Sequence, residues 1–110
     1  MPFGMGVPKT AAPRREVRIP MEVGVRITGH PAIPGTETTF TENVSVRGAR
    51  VLSARRWRPD DRLTLATLTG SFSCVARVAY CESSRTAGYA VGVEFLDPRG
   101  SWVVATSASN

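Results

Sequence analysis

Histidine, lysine and cysteine are scarce in this sequence: His30 and Lys9 stand alone, and Cys74 and Cys81 are the only cysteines. A single histidine in a Gly-His-Pro segment, with no partner fixed beside it by spacing, reads as a surface residue rather than a general base. The carboxylates are scattered without a metal-holding spacing, and no serine sits in a nucleophile-elbow glycine pattern. Two cysteines make neither a disulfide framework nor a zinc site. If one strand carries both, Cys74 and Cys81 face opposite sides about 23 Å apart at 3.3 Å per residue, beyond the reach of a disulfide. Cys74 is expected in the core and Cys81 as a half-exposed thiol. These absences exclude most catalytic constellations and point to binding.

Long apolar runs are missing too. Nothing approaches the roughly 20 residues a bilayer-spanning helix needs, and the N-terminus has no apolar core of a secretory signal, so the expected compartment is the cytoplasm. At 110 residues and 11.8 kDa the chain has room for one domain and one core. A hydrophobic share of 42% and a charged share of 21% are ordinary for a globular fold. The net charge is +5, carried almost wholly by arginine, whose planar fork grips phosphate or a guanine edge. A codon bias toward arginine gives the same composition, so charge alone suggests an anionic partner without naming one.

What is present is a period of two. Val17, Ile19, Met21, Val23, Val25 and Ile27 alternate with polar or small residues, which predicts one long half-buried strand with Pro20 at an edge or strand opening. A loop over 29–35 separates it from a second strand over 36–42. Further strands are expected over 49–53 and 62–69. After a turn at Gly70 and Ser71, Phe72, Cys74, Ala76, Val78 and Tyr80 line one face. Tyr89, Val91, Val93 and Phe95 line another, and the segment 97–100 turns the chain. No stretch has a helical period. The pattern predicts an all-β domain of about six strands, a small antiparallel barrel over 14–104. A flexible arm is expected over 1–13 and a frayed tail over 105–110, with Trp102 packed against the barrel mouth.

Two local patterns carry functional chemistry. Arg14 and Arg18 flank Arg15 in a lead-in to the first strand and project on one side when extended, about 13 Å apart; two guanidinium forks there can close over phosphates and purines. Taken alone, such a cluster is usually solvated charge. In Asn43-Val44-Ser45-Val46-Arg47-Gly48, Asn43 and Ser45 offer amide and hydroxyl groups from one side, and Gly48 permits a close approach. Taken alone, this is an ordinary turn between strands.

In this order on a small β-domain, the two patterns resemble the PilZ family. Its signature is Arg-x-x-x-Arg followed by Asp/Asn-x-Ser-x-x-Gly, matched by Arg14 and Arg18, then by Asn43, Ser45 and Gly48. The run Val91-Gly92-Val93-Glu94-Phe95 also resembles that family's closing strand. The resemblance implies a six-stranded antiparallel barrel that binds the bacterial second messenger cyclic di-GMP on its outer surface, with no other cofactor and no enzymatic activity. Arg14 and Arg18 would hold phosphate and guanine, with Arg15 assisting. Asn43 and Ser45 would contact a guanine, and Gly48 would shape the loop. Ordering of the arm on the ligand would relay the signal to a protein partner. A PilZ-like protein adaptor without nucleotide affinity is the alternative. DNA or RNA binding is not expected, since Phe72, Tyr80, Tyr89 and Phe95 are assigned to core faces rather than to an exposed stacking platform, and no membrane insertion is expected.

Overall fold

A computed structural model describes residues 17–85 and 88–105. Arg14, Arg15 and the expected arm over 1–13 lie outside the described residues, as does most of the expected tail. The elements are β1 (Ile19–Pro20), β2 (Gly24–Thr28), β3 (Glu37–Ser45), β4 (Gly48–Ser53), β5 (Arg62–Thr67), β6 (Phe72–Ser83), β7 (Tyr89–Phe95) and β8 (Arg99–Gly100). Every strand pairing is antiparallel. The order β3-β2-β5-β6-β7-β4 closes on itself through the β3–β4 pairing, giving a six-stranded barrel; β1 adds to β3 and β8 to β6. None of the described elements is a helix.

The alternating residues fill the interior. Val25, Ile27, Val44, Val51, Leu65, Ala76, Val78 and Val91 are essentially inaccessible, and each large aliphatic among them contributes about 1.5–3 kcal/mol by leaving water. Trp57 closes one end of the barrel, its indole Nε1 donating to the Ser53 hydroxyl at 3.2 Å where β4 ends. At the other end Trp102 packs on Phe72 and Phe95, with ring centroids 4.8 and 5.0 Å away. Its Nε1 donates to the Ser45 carbonyl at 2.8 Å, beside the start of β4.

The predicted long first strand is interrupted. β1 and β2 pair with different stretches of β3, and the chain over 21–23 is irregular between them, keeping backbone bonds from Met21 N to the Glu42 carbonyl at 3.3 Å and from Thr41 N to the Val23 carbonyl at 3.0 Å. The Thr41 hydroxyl satisfies the remaining groups, accepting from Val23 N at 2.9 Å and donating to the Met21 carbonyl at 2.7 Å. The β3–β4 register also shifts between Thr41 and Asn43, so Thr41 and Val44 both point inward and are buried. Val17, expected to face inward, is 76% exposed.

A second bulge corrects two further expectations. Val78 pairs with Val93 but Tyr80 pairs with Gly92, so Ala79 is the extra residue in β6. The bulge reverses the alternation beyond it. Tyr80 therefore lies on the outer wall, while Cys81 packs against the core on the same side as Cys74 rather than the opposite one. Arg99 and Gly100, expected only as a turn, also pair with Ser73 and Phe72.

Candidate functional site

The register lays two rows of residues across the outer wall. Asn43 on β3 is opposite Arg50 on β4, Arg50 is opposite Gly92 on β7, and Gly92 is opposite Tyr80 on β6. The neighbouring row runs from Ser45 to Gly48, Glu94 and Arg77 across the same four strands. The rows are two residues apart on β4 and β7, so they share a face, about 7 Å from one another. Between them opens a cavity of about 350 Å³ lined by Arg18, Arg47, Arg77, Tyr80, Gly92 and Glu94.

Gly92 lines this cavity, and Gly48 sets the spacing of the strands beside it. A Cβ on Gly48 would overlap the Val93 carbonyl oxygen, so β4 and β7 come this close only with glycine there. A Cβ on Gly92 would overlap the Tyr80 ring, which lies against the bare backbone instead. Arg50 fixes that ring from the far side. Its guanidinium carbon is 5.7 Å from the ring centroid, and its Nη1 donates to the phenol oxygen at 3.1 Å. Glu82 and Glu42 accept from Arg50 at 2.7 and 2.9 Å. The hydrogen bond to Glu82, then those to Glu42 and Tyr80, hold its pKa well above the ordinary guanidinium value.

The two sequence motifs meet here. Arg18 Nη1 donates to Asn43 Oδ1 at 3.0 Å, because β1 pairs Ile19 with Val44 and Pro20 with Asn43. Gly48 supplies the close approach expected of it. Ser45 is fully buried, with its hydroxyl donating to the Gly48 carbonyl at 3.4 Å and its own carbonyl held by Trp102. It lies on the face that carries Asn43 and is covered there rather than open to solvent. Arg14 and Arg15 lie outside the described residues.

Four residues of the cavity escaped the sequence reading. Arg47 occupies the turn inside the second motif, and its guanidinium makes no hydrogen bond or ion pair among the described residues. Arg77 is the cross-strand neighbour of Glu94. Its Nε and Nη2 donate to Glu94 Oε1 at 3.2 and 2.9 Å, and its Nη1 to Asp60 at 2.8 Å. These bonds, Glu94 first, raise its pKa. Tyr80 reaches the wall only through the Ala79 bulge. Arg77 and Glu94 were visible as polar strand positions, but their adjacency to Gly48 depends on register.

A larger cavity of about 600 Å³ lies beside the loop after β4, lined by His30, Arg56, Trp57, Arg58, Asp61 and Cys81 among others. His30 is half-buried there rather than a free surface residue. Its Nδ1 accepts from the amides of Ala32 and Ile33 at 3.0 and 3.1 Å, so Nε2 carries the proton and donates to the Arg56 carbonyl at 2.8 Å. Both nitrogens are committed to holding loops, and the ring packs edge-on to Trp57. The histidine is structural.

A family model described as the PilZ domain matches residues 12–101, a span that contains both motifs, every strand and the arginine-lined cavity. No curated protein matches the chain. PilZ domains are in general cyclic di-GMP-binding modules rather than enzymes, and on this match the chain belongs to the PilZ domain family.

Proposed function

We propose that this protein binds cyclic di-GMP on the outer wall of its barrel, at the cavity between Arg18 and Arg77. The observation that carries this reading is the contact of Arg18 with Asn43, 25 residues away in sequence, at the mouth of a cavity where three arginines face a single lining carboxylate. Arg18 and Arg47 supply charge-assisted donors for phosphate and the guanine O6 and N7 edge. Arg14, with Arg15 assisting, adds to these from the lead-in. Asn43 holds the Arg18 fork and offers its amide to a base, while the Tyr80 ring gives the base an apolar wall. Gly48 lets the ligand approach the backbone, and Ser45 braces the turn that carries Asn43 and Arg47. Closure of the residues before Arg18 over the ligand then presents a new surface to a protein partner.

Calorimetric titration with cyclic di-GMP, with GTP as the control ligand, tests this directly. Saturable heat at micromolar ligand with cyclic di-GMP and none with GTP is the expected result. Absence of heat at high ligand concentration would leave the protein-adaptor reading in its place.

A further inference from the structure

Glu94 is out of keeping with a site for a doubly anionic ligand. It lies on the cavity wall among arginines, with its side chain 51% exposed, and a carboxylate there repels phosphate. A purely structural role as the cross-strand partner of Arg77 uses one of its oxygens: Oε1 takes both Arg77 Nε and Arg77 Nη2. The other oxygen, Oε2, has no partner among the described residues. Arg77, itself steadied by Asp60, thus fixes the carboxylate in place and leaves one strong acceptor over.

Guanine is the base that presents two adjacent donors, N1–H and the N2 amine, on its Watson–Crick edge. An ionised carboxylate is acceptor-only and matches that pair, whereas adenine offers an acceptor at N1 and no amine at C2. The Tyr80 ring itself covers Gly92, so a base stacked on the outer face of that ring has Glu94, two residues along β7 from Gly92 and about 7 Å away across the sheet face, at its edge rather than under its plane. We propose that Glu94 is the guanine-specificity residue of this cavity, its carboxylate accepting from the N1–H and N2 amine of a guanine stacked on the Tyr80 ring, with Arg77 as the positioning residue that orients it. The assignment rests on the cyclic di-GMP reading and deepens it. Arg18, Arg47 and Arg77 outweigh the one negative charge, so the carboxylate selects the base at a tolerable electrostatic cost.

The test compares cyclic di-GMP with cyclic di-IMP, the inosine analogue that keeps O6, N7 and N1–H but lacks the N2 amine. Wild-type protein is expected to prefer cyclic di-GMP on the order of ten- to a hundredfold, the range for a hydrogen bond to a charged group. In Glu94→Ala the two ligands should bind within about twofold of each other. Glu94→Gln, which keeps the size and an acceptor for Arg77, should also lose most of the preference, because its amide sets a donor against a donor. Thermal melts of both variants report whether they fold, and Glu94→Gln remains informative if Glu94→Ala does not. An unchanged preference in the variants, with both ligands weakened equally, would mean that Glu94 serves the sheet alone and would overturn the proposal. So would a wild-type protein indifferent to the amine. Binding of neither ligand by wild type would remove the cyclic di-GMP reading itself, and this assignment with it.

Discussion

The two sides of Tyr80 are built from the same residue types and come to opposite states. On one side Arg50 meets Glu42, Glu82 and the phenol of Tyr80, so its donors are spent within the protein and its side chain is only 28% exposed. On the other side Arg18, Arg47 and Arg77 line one cavity with a single lining carboxylate, Glu94, which is ion-paired to Arg77. The first arrangement is a clamp that holds an aromatic ring over Gly92. The second leaves positive charge and hydrogen-bond donors facing an open cavity. What distinguishes an open cationic wall from a closed one is therefore the local ratio of cations to carboxylates, set by which strands the register brings together, and not the number of arginines in the chain.

The largest effect should come from breaking the open side. Arg18→Ala removes a charge-assisted fork, and a hydrogen bond to a charged group is worth about 1.5–3 kcal/mol; cyclic di-GMP affinity should fall by at least about tenfold by calorimetry. The melting temperature should barely move, since the Arg18–Asn43 contact is exposed. Wild-type affinity in this variant would place the ligand elsewhere. Next in size is Gly92→Ala, which sets a methyl against the Tyr80 ring. Overpacking of this kind costs about 1–3 kcal/mol, which in a domain of this length lowers the melting temperature by roughly 4–8 °C per kcal/mol. It should also weaken the nucleotide, because the ring is pushed off the cavity floor.

How far this comparison could be read in advance follows from what a period of two can carry. Val25, Ile27, Phe72, Cys74, Ala76, Val78, Val91 and Val93 alternate as inward residues do, and all are buried. Arg18, Asn43 and Gly48 stand in a recognisable order, and the structure brings Arg18 onto Asn43. The period fails where a residue is inserted. Ala79 reads as an ordinary strand residue between Val78 and Tyr80, so nothing in the pattern marks it as the bulge that turns Tyr80 outward. Thr41 looks like any strand threonine until its hydroxyl bridges the irregular stretch between β1 and β2. Ser45 keeps its place in the motif, yet its burial follows from a turn packed under Trp102. Pairing of Arg77 with Glu94, and of Glu94 with Gly48, is a property of register across three strands, which alternation leaves open.

A smaller effect sharpens the contrast from the closed side. Arg50→Met keeps an apolar stem over Tyr80 and deletes the ion pairs. Partly exposed pairs of this type are worth about 0.2–1 kcal/mol each, so chemical denaturation should show a loss of about 1 kcal/mol. Cyclic di-GMP affinity should stay within about twofold of wild type. A loss as large as that of Arg18→Ala would show that the clamp itself touches ligand, and the two sides of Tyr80 would no longer be distinct.

The smallest expected effect is also the one with an unusual sign. Asp60 has a φ of 75°, a left-handed conformation that asparagine tolerates as well as aspartate does. Its backbone is pinned by an amide hydrogen bond to the Val78 carbonyl at 2.7 Å. Asp60→Asn should therefore leave the loop unmoved while removing one of the two negative charges that Arg77 now faces. The carboxylate is 80% exposed, so its attraction for Arg77 is weak and screened, and stability should change little. An incoming phosphate, however, no longer competes with Asp60 for the Arg77 fork or meets its repulsion. Cyclic di-GMP affinity should rise by roughly two- to fivefold at low ionic strength, and the gain should shrink as salt is added. A fall in affinity would mean that Asp60 orients Arg77 for the ligand rather than holding it back, placing the open side of Tyr80 under the same kind of clamp as the closed one.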